Sequence, residues 1–224
     1  MNVLVACEES QAVTIQLRAL GHTAFSCDIL DCSGGHPEWH IKGSCLDVIN
    51  GCTSFTTSDG LHHLILGSWD LIIAHPPCTY LSFAGNRYLS SKCTSVDKIA
   101  ERLALRNSAA EFFLKLYNAH CDHVAVENPV GYMNTFFRKP DQVIYPYFFG
   151  DHDSKRTCLW LKNLPLLVPD YVSSKPEPVY IQNNGKRRYF VESCSGPERS
   201  KLRSKTFPGI ARAMAYQWTN NFWL

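Results

Sequence analysis

A cysteine stands just past the end of an apolar run in the stretch DLIIAHPPCTYLS, which spans Asp70–Ser82. Leu71–Ala74 predict a buried strand, and the two prolines after His75 end it because proline has no N–H to donate to a neighbouring strand. The prolines also make the turn rigid, which would aim the thiol of Cys78. A thiol held in this way is a candidate nucleophile, and we expect its surroundings to lower its pKa. A small buried hydrophobe is the alternative role.

A second reactive group ends another apolar run, in the stretch HVAVENP. Glu127 stands at the end of this predicted strand, and the following Asn-Pro indicates a rigid position. In a partly dry pocket we expect a raised pKa for this carboxyl group, which would then serve as a proton donor. An exposed surface glutamate is the alternative. A thiol and a protonated carboxyl group are suited to adding sulfur across a polarised ring.

The first elements of the chain alternate between strand and helix patterns. NVLVAC predicts a strand at Asn2–Cys7, and TAFSCDI predicts another at Thr23–Ile29. Between them Val13, Leu17 and Leu20 share one face of an amphipathic helix. A strand–helix–strand opening indicates a parallel pair of strands. A turn-rich stretch follows, then a short predicted element around Leu46–Ile49 and a polar Ser/Thr/Gly stretch to about residue 60.

The remaining patterns complete an α/β fold. The spacing of Leu103, Phe113 and Leu116 is typical of a long helix over residues 95–119. QVIYPYFFG and CLWLKNLP predict two further strands, and FPGIARAMAYQW predicts a closing helix. We therefore predict a doubly wound, mostly parallel sheet of about seven strands. Because ligands bind beyond the carboxyl ends of such strands, the polar groups there should form one site.

Composition limits the class of protein. The chain has 224 residues, of which 45% are hydrophobic and 19% charged, and it contains no apolar run long enough to cross a membrane. Its ten cysteines are scattered, which favours a reducing, cytoplasmic setting. Residues 175–205 hold eight Lys or Arg against three Glu, a net charge of +5, whereas the whole chain carries +2. This basic segment, which contains NNGKRRYF with an Asn-Gly turn, favours a polyanionic partner; a solvated loop is the alternative.

One metal-binding alternative comes from four residues early in the chain. Cys32, His36, His40 and Cys45 are all potential zinc ligands. Their spacing matches no common zinc finger, and the intervening Pro37 is typical of packing. We therefore predict no metal site.

Several of these motifs together resemble the DNA cytosine-5 methyltransferases, and most closely the short branch found in phages and bacteria. PPCTYLSFAG resembles the catalytic loop of that family, ENP resembles its Glu-Asn-Val element, and FGDHDSKRTCLWL resembles a degenerate form of its Gln-x-Arg-x-Arg strand. VLVACEES with the later CDI takes the place of the cofactor-binding strands, and TFPGIARAMAYQW resembles the closing Phe-Pro and helix. The family's glycines after the first strand are replaced by CEES.

The resemblance implies S-adenosylmethionine as cofactor, Cys78 adding to carbon 6 of a flipped cytosine, and Glu127 holding or protonating ring nitrogen 3. The residues implied in catalysis are Cys78, Glu127, Lys155 and Arg156. Those implied near the cofactor are Ala6, Cys7, Glu8, Ser10, Asp28, Ile29, Asp47, His75 and Pro76. Those implied or predicted to contact the substrate are Ser82, Asn128, Lys186, Arg187, Arg188 and Lys205.

The same resemblance divides the chain into a catalytic domain over residues 1–162, a small basic recognition segment over 163–205, and a returning helix over 206–224. Because the recognition segment is short, we expect a short or relaxed target sequence, or help from a second subunit in a homodimer. Two alternatives stay open. The same chemistry would act on RNA or a free cytosine nucleotide, or an inactive relative would bind DNA without turnover.

Overall fold

The structure, a computed structural model that describes residues 1–194 and 203–220, is built on one central sheet of seven strands. The described strands are β1 (Asn2–Ala6), β2 (Thr23–Asp28), β3 (His40–Lys42), β4 (Thr53–Thr56), β5 (His62–Ile65), β6 (Leu71–Ala74), β7 (Val124–Pro129), β8 (Gln142–Ile144), β9 (Thr157–Lys162), β10 (Tyr180–Ile181) and β11 (Arg187–Arg188). The α-helices with described bounds are α1 (Ala12–Ala19), α2 (Val96–Tyr117), α3 (Met133–Phe136), α4 (Phe190–Ser193) and α5 (Pro208–Asn220).

The strand order of the sheet is β3-β2-β1-β6-β7-β9-β8. The pairs from β3 to β7 are parallel, and β9 alone runs antiparallel to its neighbours β7 and β8. The prediction of an α/β protein with a mostly parallel sheet is therefore confirmed. The chain moves outward from β1 to β3 and then returns to the other side of β1 at β6. The strand order thus reverses between β1 and β6, and in open α/β sheets such a switch point is where ligands bind.

Both faces of the sheet are buried, which explains why its central strands are apolar without interruption. On one face Val5 and Ile73 pack into a core that includes Leu17 of α1 and Trp218 of α5. On the other face the alternate strand residues pack into a core that includes Phe113 of α2. Helices therefore cover both sides and leave the strand ends as the accessible edge.

The long helix predicted over residues 95–119 is confirmed as α2, but only part of it packs against the sheet. Phe113 and Leu116 are fully buried, whereas Leu103 is 44% exposed. Arg102 and Arg106 in this first half contact the segment that follows Cys78, because they donate to the carbonyls of Thr79 and Tyr80. The early turns of α2 thus support the segment after Cys78, the predicted nucleophile, rather than the core. Leu20 of the predicted early helix is likewise exposed.

Two regions differ from or lie beyond the sequence prediction. The polar stretch before residue 60 contains β4, which pairs with β5 in an antiparallel hairpin. Phe55 of this hairpin is buried against Phe25 and Trp69, and that packing organises an otherwise polar segment. In the basic segment β10 and β11 form a second hairpin, with Gly185 at a φ of +78° in its turn. Arg199 and Lys201 of this segment lie outside the described residues.

Within residues 1–194 and 203–220, none of the helices combines the length and the apolar character needed to span a bilayer.

Candidate functional site

The loop after β6 presents Cys78 at the carboxyl edge of the sheet. The N–H of His75 donates to the carbonyl of Ala6 (2.9 Å), which extends the pairing of β6 with β1 by one residue. Pro76 is buried, and the carbonyl of Cys78 then accepts from the N–H groups of Leu81 (3.1 Å) and Ser82 (2.9 Å) in a tight turn. Cys78 itself is exposed. A rigid turn therefore holds an accessible thiol beyond the strand, as the double proline predicts.

The segment after β7 is fastened to this loop at two points. The buried side chain of Asn128 donates from Nδ2 to the carbonyl of Pro76 (2.8 Å). Further along, the N–H of Tyr132 donates to the carbonyl of Leu81 (2.6 Å). Gly131 permits this approach, because a Cβ there would lie 2.0 Å from the carbonyl oxygen of Leu81. Asn128 therefore holds the Cys78 loop, Pro76–Ser82, in place, and Gly131 is a positioning residue that the sequence patterns did not reveal.

Glu127 lies between a histidine and a lysine. Its Oε2 is 3.3 Å from Nδ1 of His75, and the two side chains are only 15% and 6% exposed. Burial alone would raise the pKa of Glu127, but the hydrogen bond with His75 and the charges of Lys155 and His75 outweigh it and lower that pKa. The expected direction was therefore wrong: the free site favours the carboxylate.

The thiol of Cys78 also departs from the expected direction. Desolvation of the thiol by neighbouring residues and the negative charge of Glu127 raise its pKa, and the charges of Lys155 and Arg203 oppose them only in part. The free protein therefore favours the thiol over the thiolate. These mutual effects indicate that Cys78, Glu127, Lys155 and Arg203 share one electrostatic environment.

Lys155 reaches the site because β9 is antiparallel. Residues that precede β9 lie at the same edge as residues that follow β7, since Pro129 pairs with Thr157. The Nζ of Lys155 donates to the carbonyl of Arg203 (2.9 Å), which brings this arginine of the basic segment close to the site. Arg203 was missed because nothing in its local sequence distinguishes it from the other basic residues there. Arg156, the neighbouring candidate, is exposed.

The basic hairpin joins the site through one carboxylate. Asp153 accepts from the N–H of Lys155 through Oδ1 (2.8 Å) and from the N–H of Val191 through Oδ2 (2.9 Å). Val191 belongs to α4, which follows β11, so the end of the hairpin is fixed next to Lys155. The predicted substrate residues near this point are exposed Lys186, Arg187 and Lys205 and half-buried Arg188.

The loop between β1 and α1 adopts a left-handed conformation without glycine. Cys7 and Gln11 have φ values of +61° and +57°, a strained region for residues with a side chain. Glu8 is buried, and its carboxylate accepts from the N–H groups of Val13 (2.6 Å) and Thr14 (3.3 Å) at the start of α1. Glu8 therefore supports the helix. Cys7 adopts the positive φ that this turn requires.

Other predicted cofactor residues border the ends of β2 and β3. Asp28 accepts from the N–H of Leu30 through Oδ1 (2.9 Å), and Ile29 between them is 74% exposed. The charges of Asp28 and Asp47 both act on Cys45, so each carboxylate lies near that thiol. The remaining candidates lie close to β1: Ala6 is fully buried and Ser10 is half-buried.

The potential zinc ligands are engaged elsewhere. The Sγ of Cys45 lies 3.9 Å from the Sγ of Cys7, and His40 lies within hydrogen-bond distance of Ser26 and of the carbonyl of Leu30. Among the residues that the structure describes, no group of three or more His, Cys, Asp or Glu is arranged to hold a metal ion.

Comparisons with known proteins identify no family: no protein-family model matches the chain, and no curated protein matches it significantly. The chemistry of the site is therefore the basis for assigning a function.

Proposed function

We propose that the protein is an S-adenosylmethionine-dependent DNA cytosine-5 methyltransferase that acts through a covalent bond to Cys78. The observation that carries the proposal is the pairing of an accessible thiol with a buried carboxylate on adjacent strand ends. Asn128 fastens the two loops together, and Lys155 acts electrostatically on both groups. A cysteine that served only for packing would need neither the exposure nor the charged neighbours.

The fold supports this proposal. Helices on both faces are consistent with a doubly wound catalytic domain over residues 1–162, and α5 packs against α1 in the same core. On this view residues 163–205 form the recognition segment and residues 206–224 the returning helix. The switch point between β1 and β6 lies beside Cys78, so a cofactor bound there would be next to the nucleophile.

The residues at this edge fit S-adenosylmethionine. The Nε2 of His75 is buried at the switch point without a hydrogen-bond partner among the described residues, as expected where a polar ligand completes the site. Asp28 would hold the ribose hydroxyls, and Asp47 would lie on the adenine side. Ile29, the residue after Asp28, is exposed. When bound, the cofactor supplies the electrophilic methyl group that carbon 5 of cytosine takes.

The protein's own residues prepare carbon 5. Nitrogen 3 takes a proton from water as the base binds. The Cys78 thiol then loses its proton to water, and its Sγ forms a bond to carbon 6. The electron pair of the 5–6 double bond moves towards the protonated nitrogen 3, which makes carbon 5 nucleophilic. Glu127 holds that N–H as a carboxylate, in agreement with its lowered pKa. After carbon 5 has taken the methyl group, water takes the proton on carbon 5 and the Sγ–carbon 6 bond breaks. The leaving thiolate regains a proton from water, and nitrogen 3 gives up its proton.

The electrostatics of the pair delay activation until the substrate is present. The charge of Glu127 raises the pKa of Cys78 in the free protein. When Glu127 binds a protonated nitrogen 3, its charge is compensated, and the pKa of the thiol falls. The thiolate then forms where carbon 6 is within reach.

The basic hairpin supports a nucleic acid as substrate. Exposed Lys186 and Arg187 are suited to phosphate contacts, which position a duplex without reading its sequence. The hairpin strands have two residues each, which agrees with a short or relaxed target sequence. The proposal includes DNA as the substrate, a homodimer and a cytoplasmic location. RNA and free cytosine nucleotides are the competing substrates.

Covalent trapping tests the proposal. The protein is incubated with cofactor and duplex DNA containing 5-fluorocytosine, whose fluorine blocks release of the thiol. We expect an adduct that survives denaturation for the wild type and for Cys93→Ala, a control at another exposed cysteine. We expect none for Cys78→Ala. Parallel reactions with RNA and dCMP identify the substrate.

Two results would overturn the proposal. The first is the absence of a wild-type adduct and of methyl transfer to duplex DNA when cofactor binding is demonstrated. The second is an adduct of undiminished yield with Cys78→Ala. Methyl transfer to RNA or dCMP alone would assign the chemistry to the competing substrates.

A further inference from the structure

His75 is a buried polar residue of the site, and its Nδ1 takes no part in the proposed chemical steps. Its side chain is 6% exposed, and its backbone is fixed by the hydrogen bond from its N–H to the carbonyl of Ala6. Nδ1 lies 3.3 Å from Oε2 of Glu127. Nε2 is buried and has no hydrogen-bond partner among the described residues.

A histidine placed only for stability would use both ring nitrogens, because an unsatisfied buried polar atom costs about 1–3 kcal/mol. His75 satisfies one nitrogen, and it does so with the carboxylate of the candidate site. This contact indicates that the role of His75 is connected with Glu127.

Charged groups face this pair from each adjacent element. On the β1 side Glu8 is buried near His75, and its carboxylate is already bound by the first turn of α1. On the β9 side Lys155 acts on Glu127, and Cys78 follows in the same loop as His75. The carboxylate of Glu8 is bound by the first turn of α1. Nδ1 of His75 is the described side-chain group within hydrogen-bond distance of the Glu127 carboxylate.

We propose that His75 is a positioning residue that holds Oε2 of Glu127 and thereby leaves Oε1 directed at the cytosine ring. This inference rests on the proposed function, because it names the group that orients the carboxylate in that reaction. Without the contact, the carboxylate would rotate between its rotamers and hold nitrogen 3 for only part of the time.

Two substitutions separate orientation from folding. His75→Ala removes the hydrogen bond, whereas His75→Asn keeps an N–H donor near the position of Nδ1. We expect His75→Ala to lower kcat about tenfold to a hundredfold, less than the ~10²–10⁴ that an acid–base group itself contributes. KM for DNA should change less than about twofold, because binding contacts are untouched. His75→Asn should recover most of the lost rate at similar thermal stability.

A double-mutant cycle tests whether His75 acts through Glu127. In a Glu127→Gln background, His75→Ala should cause little further loss, because the oriented carboxylate is already absent. An equal additional loss in that background would overturn the proposal. So would full activity of His75→Ala, or a folded His75→Asn as slow as His75→Ala.

A titration in the free protein makes the test independent of turnover. Carbon-13 NMR of glutamate-labelled protein follows the Glu127 carboxyl group, which is assigned by its loss in Glu127→Gln. Because the contact with His75 lowers the pKa of Glu127, His75→Ala should raise that pKa. An unchanged pKa would refute the contact itself. A raised pKa in a protein that transfers no methyl group would instead refute the proposed function.

Discussion

The charge of Glu127 acts on the Cys78 thiol, and removing that charge gives a measurable change without any substrate. Glu127→Gln keeps the shape of the side chain but deletes the negative charge that raises the pKa of Cys78. We therefore expect that pKa to fall. Lys155→Met should have the opposite effect, because Lys155 lowers the same pKa.

The expected size follows from the electrostatics of a half-open site. Two unit charges in a partly solvated site interact by ~1–2 kcal/mol, so removing the charge of Glu127 should lower the pKa of Cys78 measurably. At a pH below the pKa of Cys78, each unit by which that pKa falls increases the thiolate fraction about tenfold. The intrinsic nucleophilicity falls about threefold over the same interval, so the net rate of alkylation should rise about threefold.

Peptide-resolved alkylation measures this change. The protein is treated with limiting iodoacetamide between pH 6 and 9, and the Cys78 peptide is quantified by mass spectrometry against the peptide of exposed Cys52. Glu111→Gln, a change at an exposed residue of α2, is the matched control and should leave Cys78 unaffected. Slower or unchanged alkylation of Cys78 in Glu127→Gln would refute the electrostatic coupling. Faster alkylation in Lys155→Met would do the same.

Three further changes probe the parts that surround the reacting pair. Gly131→Ala should reduce the yield of trapped adduct at least about tenfold, because a Cβ 2.0 Å from the carbonyl oxygen of Leu81 displaces the loop that carries Cys78. Gly43→Ala is the control, because no atom lies within 4 Å of a Cβ built there. Equal adduct yields for the two variants would contradict the prediction. Lys186→Ala with Arg187→Ala should weaken DNA binding and lower the slope of log affinity against log salt by about one per residue, as measured by fluorescence anisotropy. Trp218→Ala should reduce the free energy of unfolding by about 3–5 kcal/mol in urea titrations, because the fully buried indole packs α5 onto the sheet; a loss below about 1 kcal/mol would contradict that packing.

Local patterns were sufficient to predict the elements that carry the site. The strands ending near Ala6, Asp28, Ala74 and Pro129 are found as predicted, because continuous apolar runs fit strands that are buried on both faces. The rigid turn before Cys78 follows from the chemistry of proline. These features depend on residues that are neighbours in sequence.

Properties that depend on distant residues could not be predicted. His75 and Glu127 are 52 positions apart, and their contact reverses the expected pKa direction of the carboxyl group. The antiparallel direction of β9 is equally invisible in its apolar pattern, although it brings Lys155 to the site. The buried side chain of Phe55 likewise holds the β4–β5 hairpin against the core. The polar composition of the surrounding segment gives no indication of this packing.

The fastening of Asn128 to Pro76, together with the close approach of Gly131 to Leu81, has a consequence for how this protein can change over time. The spacing of thiol and carboxylate is set by these two contacts, and it does not depend on the exposed chain between the short 3-10 segment Phe83–Leu89 and α2. Insertions, deletions or peptide tags placed there should therefore be tolerated. Sequence libraries confined to that connection should leave the thiol and the carboxylate in their present positions.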